Sequence, residues 1–371
     1  PNLRGLVVEV ETGGTVTNTG TLSAPRGNVT LLGYAVNQNG LASATTSVSV
    51  NGSVRLLARD HVQVVHNDIK NTNTPTALRA GVLTLGAHSR TEVTPVAAST
   101  DVDAQKAREA DRTQREAVDS QPQVLSKIDL FGNKLSVASG AHITARGGDI
   151  TVKAQRNTSA APGESVDAKL EIAKGARIDA AGSRDAEVAM SRNLVSVELR
   201  GNELRDAPLQ KNGLLRGKRV TFDVRKGTPL ADVSGAVASI RRSLDERLAP
   251  GGSITLDSDN HLDVAPGATL DVSGGVVNYS GGVVDTTKLI SGGRLFDISK
   301  ADPGRVYDGV FGSAETVHRK WNVVESYQLF SNARANFEAG YVEGKDAGTL
   351  TIAAPDLRML GNAQGGVTLD S

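Results

Sequence analysis

The chain has 371 residues, with 41 Lys plus Arg balanced by 41 Asp plus Glu, 40 glycines, no cysteine, and only one Trp, five Tyr and six Phe. Lack of cysteine excludes a disulfide framework, a Cys-ligated zinc site, an iron–sulfur cluster and a thiol nucleophile. Zero net charge argues against a nucleic-acid binder that works through bulk electrostatics, and no run of about 18 apolar residues exists to span a membrane as a helix.

With so few aromatics, the core is expected to be Val, Leu, Ile and Ala. The first residue is Pro1, with no charged and apolar leader behind it, so the chain reads as an internal fragment of a longer protein.

Taken in chain order, short segments alternate apolar and polar residues between glycines. GTLSAPRG runs from Gly20 to Gly27, and GNVTLLG starts at Gly27. GSVRLLA follows from Gly52 and GVLTLGA from Gly81. GAHITARG (Gly140–Gly147) leads directly into GDITVKA from Gly148. GARIDAAG (Gly175–Gly182), GSITLDS from Gly252, GATLDVSG (Gly267–Gly274), GTLTIAA from Gly348 and GVTLDS from Gly366 complete the set. Period two over four to six residues marks strands with one buried face. Gly, Asn, Asp and Pro at the breaks supply the turns.

Repetition at this scale predicts a solenoid, in which each coil buries a thin interior against the next. Gly252–Gly275 holds three strand-like pieces, enough for one coil of roughly 20 residues. The GAxI units at Gly140 and Gly175 lie 35 residues apart, and those at Gly175 and Gly267 lie 92 apart. Removing a 12-residue loop (156–167) and an insertion at 201–250 leaves about 21 to 23 residues per coil. The fold class expected is all-β: a right-handed parallel β-helix with two helical insertions and an aromatic-rich inserted subdomain, its hand following the preference of parallel crossovers. About 11 coils, or roughly 50 Å, are expected at about 4.8 Å per coil. The competing antiparallel sandwich calls for hairpin dipeptides, and only Asn51-Gly52 and Asn212-Gly213 qualify.

The partition expected is coils at 1–96, 127–200, 251–278 and 346–371, interrupted at 97–126, 201–250 and 279–345. The first interruption is rich in charge and predicts a solvated or disordered helix, capped by Ser99 or Thr100, with Asp111 and Arg115 as an i,i+4 pair. In the second, Val233, Val237, Ile240, Leu244 and Leu248 predict one amphipathic helix over 231–248 that lies on the solenoid. A basic cluster (Arg216, Lys218, Arg219, Arg225, Lys226) precedes it and reads as a solvated strand face. The third holds nine of the twelve aromatics and predicts a subdomain with its own small core. Tyr279, Tyr307, Trp321, Tyr327 and Tyr341 are its candidate partner-binding residues.

The search for catalytic and metal chemistry is mostly negative. His61, His66, His88, His142, His261 and His318 form no HxxxH or HExxH pair. No P-loop, GxSxG or calcium-binding GGxGxD repeat stands in a supporting context. No catalytic residue, cofactor or metal site is expected. Paired carboxylates on one face would mark a carbohydrate-active β-helix enzyme, a lyase or glycosidase. Asp179, Asp257, Asp263 and Asp271 are the candidates for that role, although Asp179 and Asp271 fall at equivalent repeat positions.

NELRDAPLQKNGLLRGK (Asn202–Lys218) and TTKLISGGRLFDISKADPGRVYDGV (Thr286–Val310) resemble large exoproteins of the filamentous haemagglutinin family. GATLDVSGG (Gly267–Gly275) and NGSVRLLARD (Asn51–Asp60) are also similar. Pro1-Asn2-Leu3 only partly echoes the NPNL motif of that family's secretion domain, and its sequel departs from it. The resemblance implies a β-helical fibre on a bacterial surface, exported by a two-partner-secretion transporter in the outer membrane through a region outside this chain. It implies adhesion to a receptor or glycan on host or neighbouring cells, with no nucleic-acid partner. Some relatives serve instead in contact-dependent inhibition or surface signalling. A scaffold binding one protein through 279–341 is a further alternative.

Overall fold

The period-two segments become strands because every second side chain is aliphatic and finds its equivalent directly beside it on the next strand. In the computed structural model, residues 5–10, 13–67, 72–158, 160, 163, 166–311, 313–318, 323–328 and 335–369 are described. The described protein is mostly β, with few and short helices.

Three long parallel sheets dominate. The first aligns Leu6–Glu9, Asn28–Gly33, Ser53–Asn67, Lys127–Gly132, Asp149–Ala154, Ser253–Ser258 and Thr349–Ala353. The second aligns Thr15–Asn18, Ala35–Gln38, Val82–Leu85, Lys134–Val137, Lys169–Ile172, His261–Val264 and Asp356–Met359. The third aligns Thr21–Ala24, Leu41–Thr46, Arg90–Pro95, His142–Ala145, Arg177–Asp179, Thr269–Asp271 and Asn362–Gln364. Over the described residues the chain therefore visits the sheets in the same order seven times, an arrangement consistent with a parallel β-helix. Six steps of about 4.8 Å give about 29 Å along the stack.

Seven circuits replace the eleven expected. The GAxI units at Gly175 and Gly267 lie on adjacent circuits, because Arg177 pairs with Thr269. Everything between them is one excursion and not two further coils.

Register puts like upon like. Val29, Val54, Ile128, Ile150 and Ile254 form one unbroken file, each fully buried. Files from all three sheets meet in one interior cluster of Val, Leu, Ile and Ala. Burying each Val, Leu or Ile contributes about 1.5–3 kcal/mol. Where the second sheet turns into the third, Gly140, Gly175 and Gly267 take φ of +73°, +77° and +83° in three successive circuits. Glycine suits that left-handed conformation, and the alanine after each packs inward. His88 holds the equivalent position one circuit earlier at φ +60°.

The three corners differ. From second sheet to third, the link is two to four residues in every circuit. From first to second, two excursions leave: a hairpin pairing Arg59–Asn67 with Thr72–Ala80, and the loop at 155–168. The hairpin falls inside the block expected to be plain coils (1–96). From third sheet to first, three large excursions leave, at 96–126, 180–252 and 272–348. The last two are longer than the insertions expected at 201–250 and 279–345.

These three excursions pack on one another beside the stack. Glu116–Val118 pairs antiparallel with Arg241–Ser243, and Ala186–Ala189 pairs with Val276–Ser280, which pairs in turn with Tyr341–Gly344. The charged helix spans Ala104–Arg115 with no buried residue. Its cap is Asp103, whose carboxylate accepts from the Gln105 and Lys106 amides, not Ser99 or Thr100. Arg115 ion-pairs with Asp245 at 2.6 Å in the next excursion, while Asp111 accepts from the Ser99 amide, so the expected intrahelical pair is absent.

The single helix expected over 231–248 is broken into Ser234–Ala238, a strand at Arg241–Ser243 and Leu244–Arg247. Its apolar residues serve two cores. Val233 and Val237 pack on the cluster around Phe222, whereas Leu244 and Leu248 pack with Val48 and Ala117. The Ser243–Glu246 capping box then starts the second helix afresh.

Candidate functional site

Short acidic turns launch the excursions. At the end of a third-sheet strand, Asp179 accepts from the Ala181 amide at 3.0 Å, and one circuit on Asp271 accepts from the Ser273 amide at 3.0 Å. Arg177 bridges both carboxylates, at 3.2 Å to Asp179 and 2.9 Å to Asp271. The other two candidate acids lie on other sheets: Asp257 is paired with Lys153 at 3.0 Å and Asp263 faces Arg358 at 3.9 Å. The structure therefore brings Asp179 and Asp271 together around an arginine and leaves Asp257 and Asp263 apart from them. Among the described residues, no group of three or more His, Asp or Glu side chains is placed to hold a metal ion. No helix among them is long and apolar enough to cross a membrane.

Among the described residues, the aromatic segment shares its core with the preceding excursion and does not build one of its own. Phe296 and Tyr307 meet edge to face at 6.4 Å in a cluster that also contains Leu199, Leu204, Leu215, Val220 and Phe222 from the preceding excursion. Tyr279 stacks on Tyr341 with centroids 4.4 Å apart and an interplanar angle of 6°, over Ala186, Val188, Ala249 and Val277. Tyr279 and Tyr307 are only 5% and 2% exposed, so packing occupies the faces a partner would need. Tyr341 is half-buried. Trp321 lies outside the described residues, as does the side chain of Tyr327, whose backbone belongs to the Val323–Gln328 strand.

Ion pairs knit the body together. Arg225, from the basic cluster, holds both Asp223 and Glu338 and lies over the Tyr341 ring, while Lys226 reaches Glu338 at 3.1 Å. Burial would raise the Asp223 carboxyl, but its bonds to Arg225 hold it below the usual carboxylate range. Glu338 is lowered by Arg225 and Lys226. Burial acts against Asp297 too, yet hydrogen bonds from Lys288, Ser299 and Thr286 hold it well below that range.

A cleft of about 740 Å³ opens where the excursions at 96–126 and 180–252 meet. One side is the run from Glu187 through Ser196, and the other carries Glu116, Ala236, Ile240 and Arg241. Behind it, buried Glu246 accepts from the Ser243 amide at 2.7 Å and from Arg242 at 3.4 Å, with Arg192 Nη1 at 3.6 Å. Arg242 also donates to the Tyr279 hydroxyl at 3.4 Å, and Asn193 donates to the Tyr341 hydroxyl at 3.0 Å. Burial, with Glu343 nearby, pushes the Tyr279 hydroxyl up to about 12. The stacked tyrosines thus support the cleft from behind.

Residues 187–196 fall in the block expected to be β-helix coils (127–200), a pattern that gives no sign of a cleft. The available signal was the alternation in LVSVE (194–198) and RVTFD (219–223), which pair antiparallel as a hairpin-like ladder beside the stack. A second cavity, about 520 Å³, lies on the second sheet among Lys134, Lys169, His261 and Asp356, with His261 Nδ1 at 2.7 Å from the Asp356 carboxylate. No family model, no curated protein and no solved structure matches the chain.

Proposed function

We propose that the chain is a shaft segment of a bacterial surface exoprotein similar to the filamentous haemagglutinins, a right-handed parallel β-helix that extends a fibre and displays an accessory body for attachment to host or neighbouring cells. The hand is the one that parallel crossovers prefer. The supporting observation is the division of labour between corners. Seven circuits repeat without a change of order, one corner stays short throughout, and the three largest excursions leave from a single corner and pack together. A stack that grows by register alone and gathers its irregular chain on one side suits a spacer carrying a recognition surface. Cell-surface location, with a two-partner-secretion transporter as the export partner, belongs to the same reading.

The test is binding of the purified chain to an array of glycans and host glycoproteins, beside the Phe222→Ala variant. Phe222 is chosen because it is fully buried in the core shared by two excursions. Binding that is lost with Phe222→Ala, while far-ultraviolet β signal remains, supports recognition by the accessory body. Binding by neither protein overturns the adhesive role.

A further inference from the structure

We infer that the turns at 208–217, in the excursion at 180–252, dock on an anionic phospholipid surface. Leu209, Leu214 and the neighbouring Val306 enter the lipid, and Lys211 and Arg216 meet the headgroups. The inference goes beyond the adhesive reading, since it concerns lipid and calls for no receptor.

The ladder fixes where these turns lie. Leu194 pairs with Asp223 and Glu198 with Arg219, so the chain from 199 to 218 closes the end remote from the Met190–Asn193 turn. It closes tightly. Pro208–Lys211 is a single helical turn, after which the Gly213, Arg216 and Lys218 amides donate to the Gln210, Gly213 and Leu215 carbonyls. Gln210 is buried, and its side-chain amide donates to the Pro303 and Arg305 carbonyls at 3.2 and 2.7 Å. Those two bonds clamp a loop of the excursion at 272–348, and with it Val306, beside the turns.

Each of the three apolar residues stands next to a buried one. Leu214 is 64% exposed beside fully buried Leu215, Val306 is 69% exposed beside buried Tyr307, and Leu209 is 52% exposed beside Gln210. Leu215 and Tyr307 belong to the core around Phe222, so the outward side chains are pinned by their inward neighbours. Aliphatic side chains grouped and held out in this way mark an interaction surface.

Charge selects the occupant. From Ala207 to Phe222 there are four basic residues, Lys211, Arg216, Lys218 and Arg219, and no acidic one. Arg219 faces Glu198 across the ladder, and the other three lie on or next to the turns. Lys211 and Arg216 are exposed. The acids around this run have their own partners. Asp206 and Asp232 pair with Arg205 at 3.2 and 2.7 Å, and Glu203, Asp302 and Asp308 accept from the Arg200, Gly304 and Gly292 amides. Leucines beside cations suit a membrane interface, where apolar side chains reach the acyl boundary and cations meet anionic headgroups. A soluble polyanion would use the cations alone and leave the leucines in water.

The test is co-sedimentation of the full chain with vesicles of phosphatidylcholine alone, or with about 30% phosphatidylserine, at about 0.15 M salt. Binding to the anionic vesicles is expected, about tenfold or more tighter than to the neutral ones. Lys211→Gln with Arg216→Gln is expected to weaken it about twentyfold, at about fivefold for each cation near the surface. Leu209→Ser with Leu214→Ser is expected to weaken it about tenfold. The charge pair alters no apolar residue and, with lipid composition, still gives a reading if the leucine pair fails to fold. Binding to neither vesicle, or equally to both, overturns the inference. So does loss with the charge pair but not with the leucine pair, which is adsorption by charge alone. Array binding that survives both double variants, with no vesicle bound, overturns it while leaving adhesion standing. Vesicle binding beside an empty array supports it while adhesion to glycans and glycoproteins falls.

Discussion

The circuits and the accessory body solve the same burial problem by different means. The circuits use small aliphatic side chains repeated in file, such as Val54, Ile128, Ile150 and Ile254, and each layer needs only its neighbours. The accessory body uses single large side chains, Phe222, Tyr279 and Tyr307, and charged ties such as Arg225 to Asp223 and Glu338. The first kind of order is local along the axis and tolerates interruption. The second is non-local and joins chain segments far apart in sequence, as Phe222 with Leu289 and Ile298. Regularity is therefore a property of the stack, and chemical individuality a property of its side.

That contrast breaks most sharply at Phe222. Truncation to alanine is expected to cost about 3–5 kcal/mol, and near-ultraviolet circular dichroism of the tyrosines should fade while the far-ultraviolet β signal holds. Equal loss of both signals would show one cooperative unit. Ile150→Ala probes the other region and is expected to cost about 2–5 kcal/mol, read as a lower urea midpoint of the β signal. A neighbouring file that collapses onto the cavity would place it at the low end.

Acid separates the regions by charge. A carboxylate whose folded value is depressed contributes stability that is fully present above its unfolded value of about 4 and is lost as pH falls through the folded value. Asp223, Asp297 and Glu338 are all depressed, and all three lie in the accessory body. Below pH 4 the tyrosine signal is expected to weaken before the β signal. Simultaneous loss would deny these ties a separate role.

The smallest effects lie at one corner. Gly175→Ala has room, since the added Cβ would stand 3.5 Å from Ser139 Oγ, so only the left-handed backbone opposes it, by about 1–2 kcal/mol. At the matching position His88→Gly is expected to relieve strain and leave thermal stability unchanged or slightly higher, by less than about 1 kcal/mol. A large loss there would assign the imidazole a packing role over Gly140, which it approaches.

Sequence alone carried the parallel sheets and their inward residues, because period two recurs from circuit to circuit and the GAx[IL] unit marks three of them. The number of circuits was not readable: the 92 residues from Gly175 to Gly267 look the same whether they coil or wander. The helix over 231–248 was misread because helical spacing does not reveal that Val237 and Leu244 belong to different cores. Asp179 and Asp271 were visible as equivalents, but not the arginine between them. The cleft was least legible of all. Its walls come from two excursions, and their meeting depends on which strand pairs with which.

The uneven corners bear on how such a chain can acquire new parts. Between the third sheet and the first, the link runs from three residues at 146–148 to 77 at 272–348, yet the strands on either side keep their register. Closing a loop grows costlier only with the logarithm of its length, so stretching a link from 3 to 77 residues adds about 2.9 kcal/mol. That is no more than one or two buried isoleucines return. A foreign domain grafted at 146–148, with its termini close together, would ride on the stack much as the native excursions do.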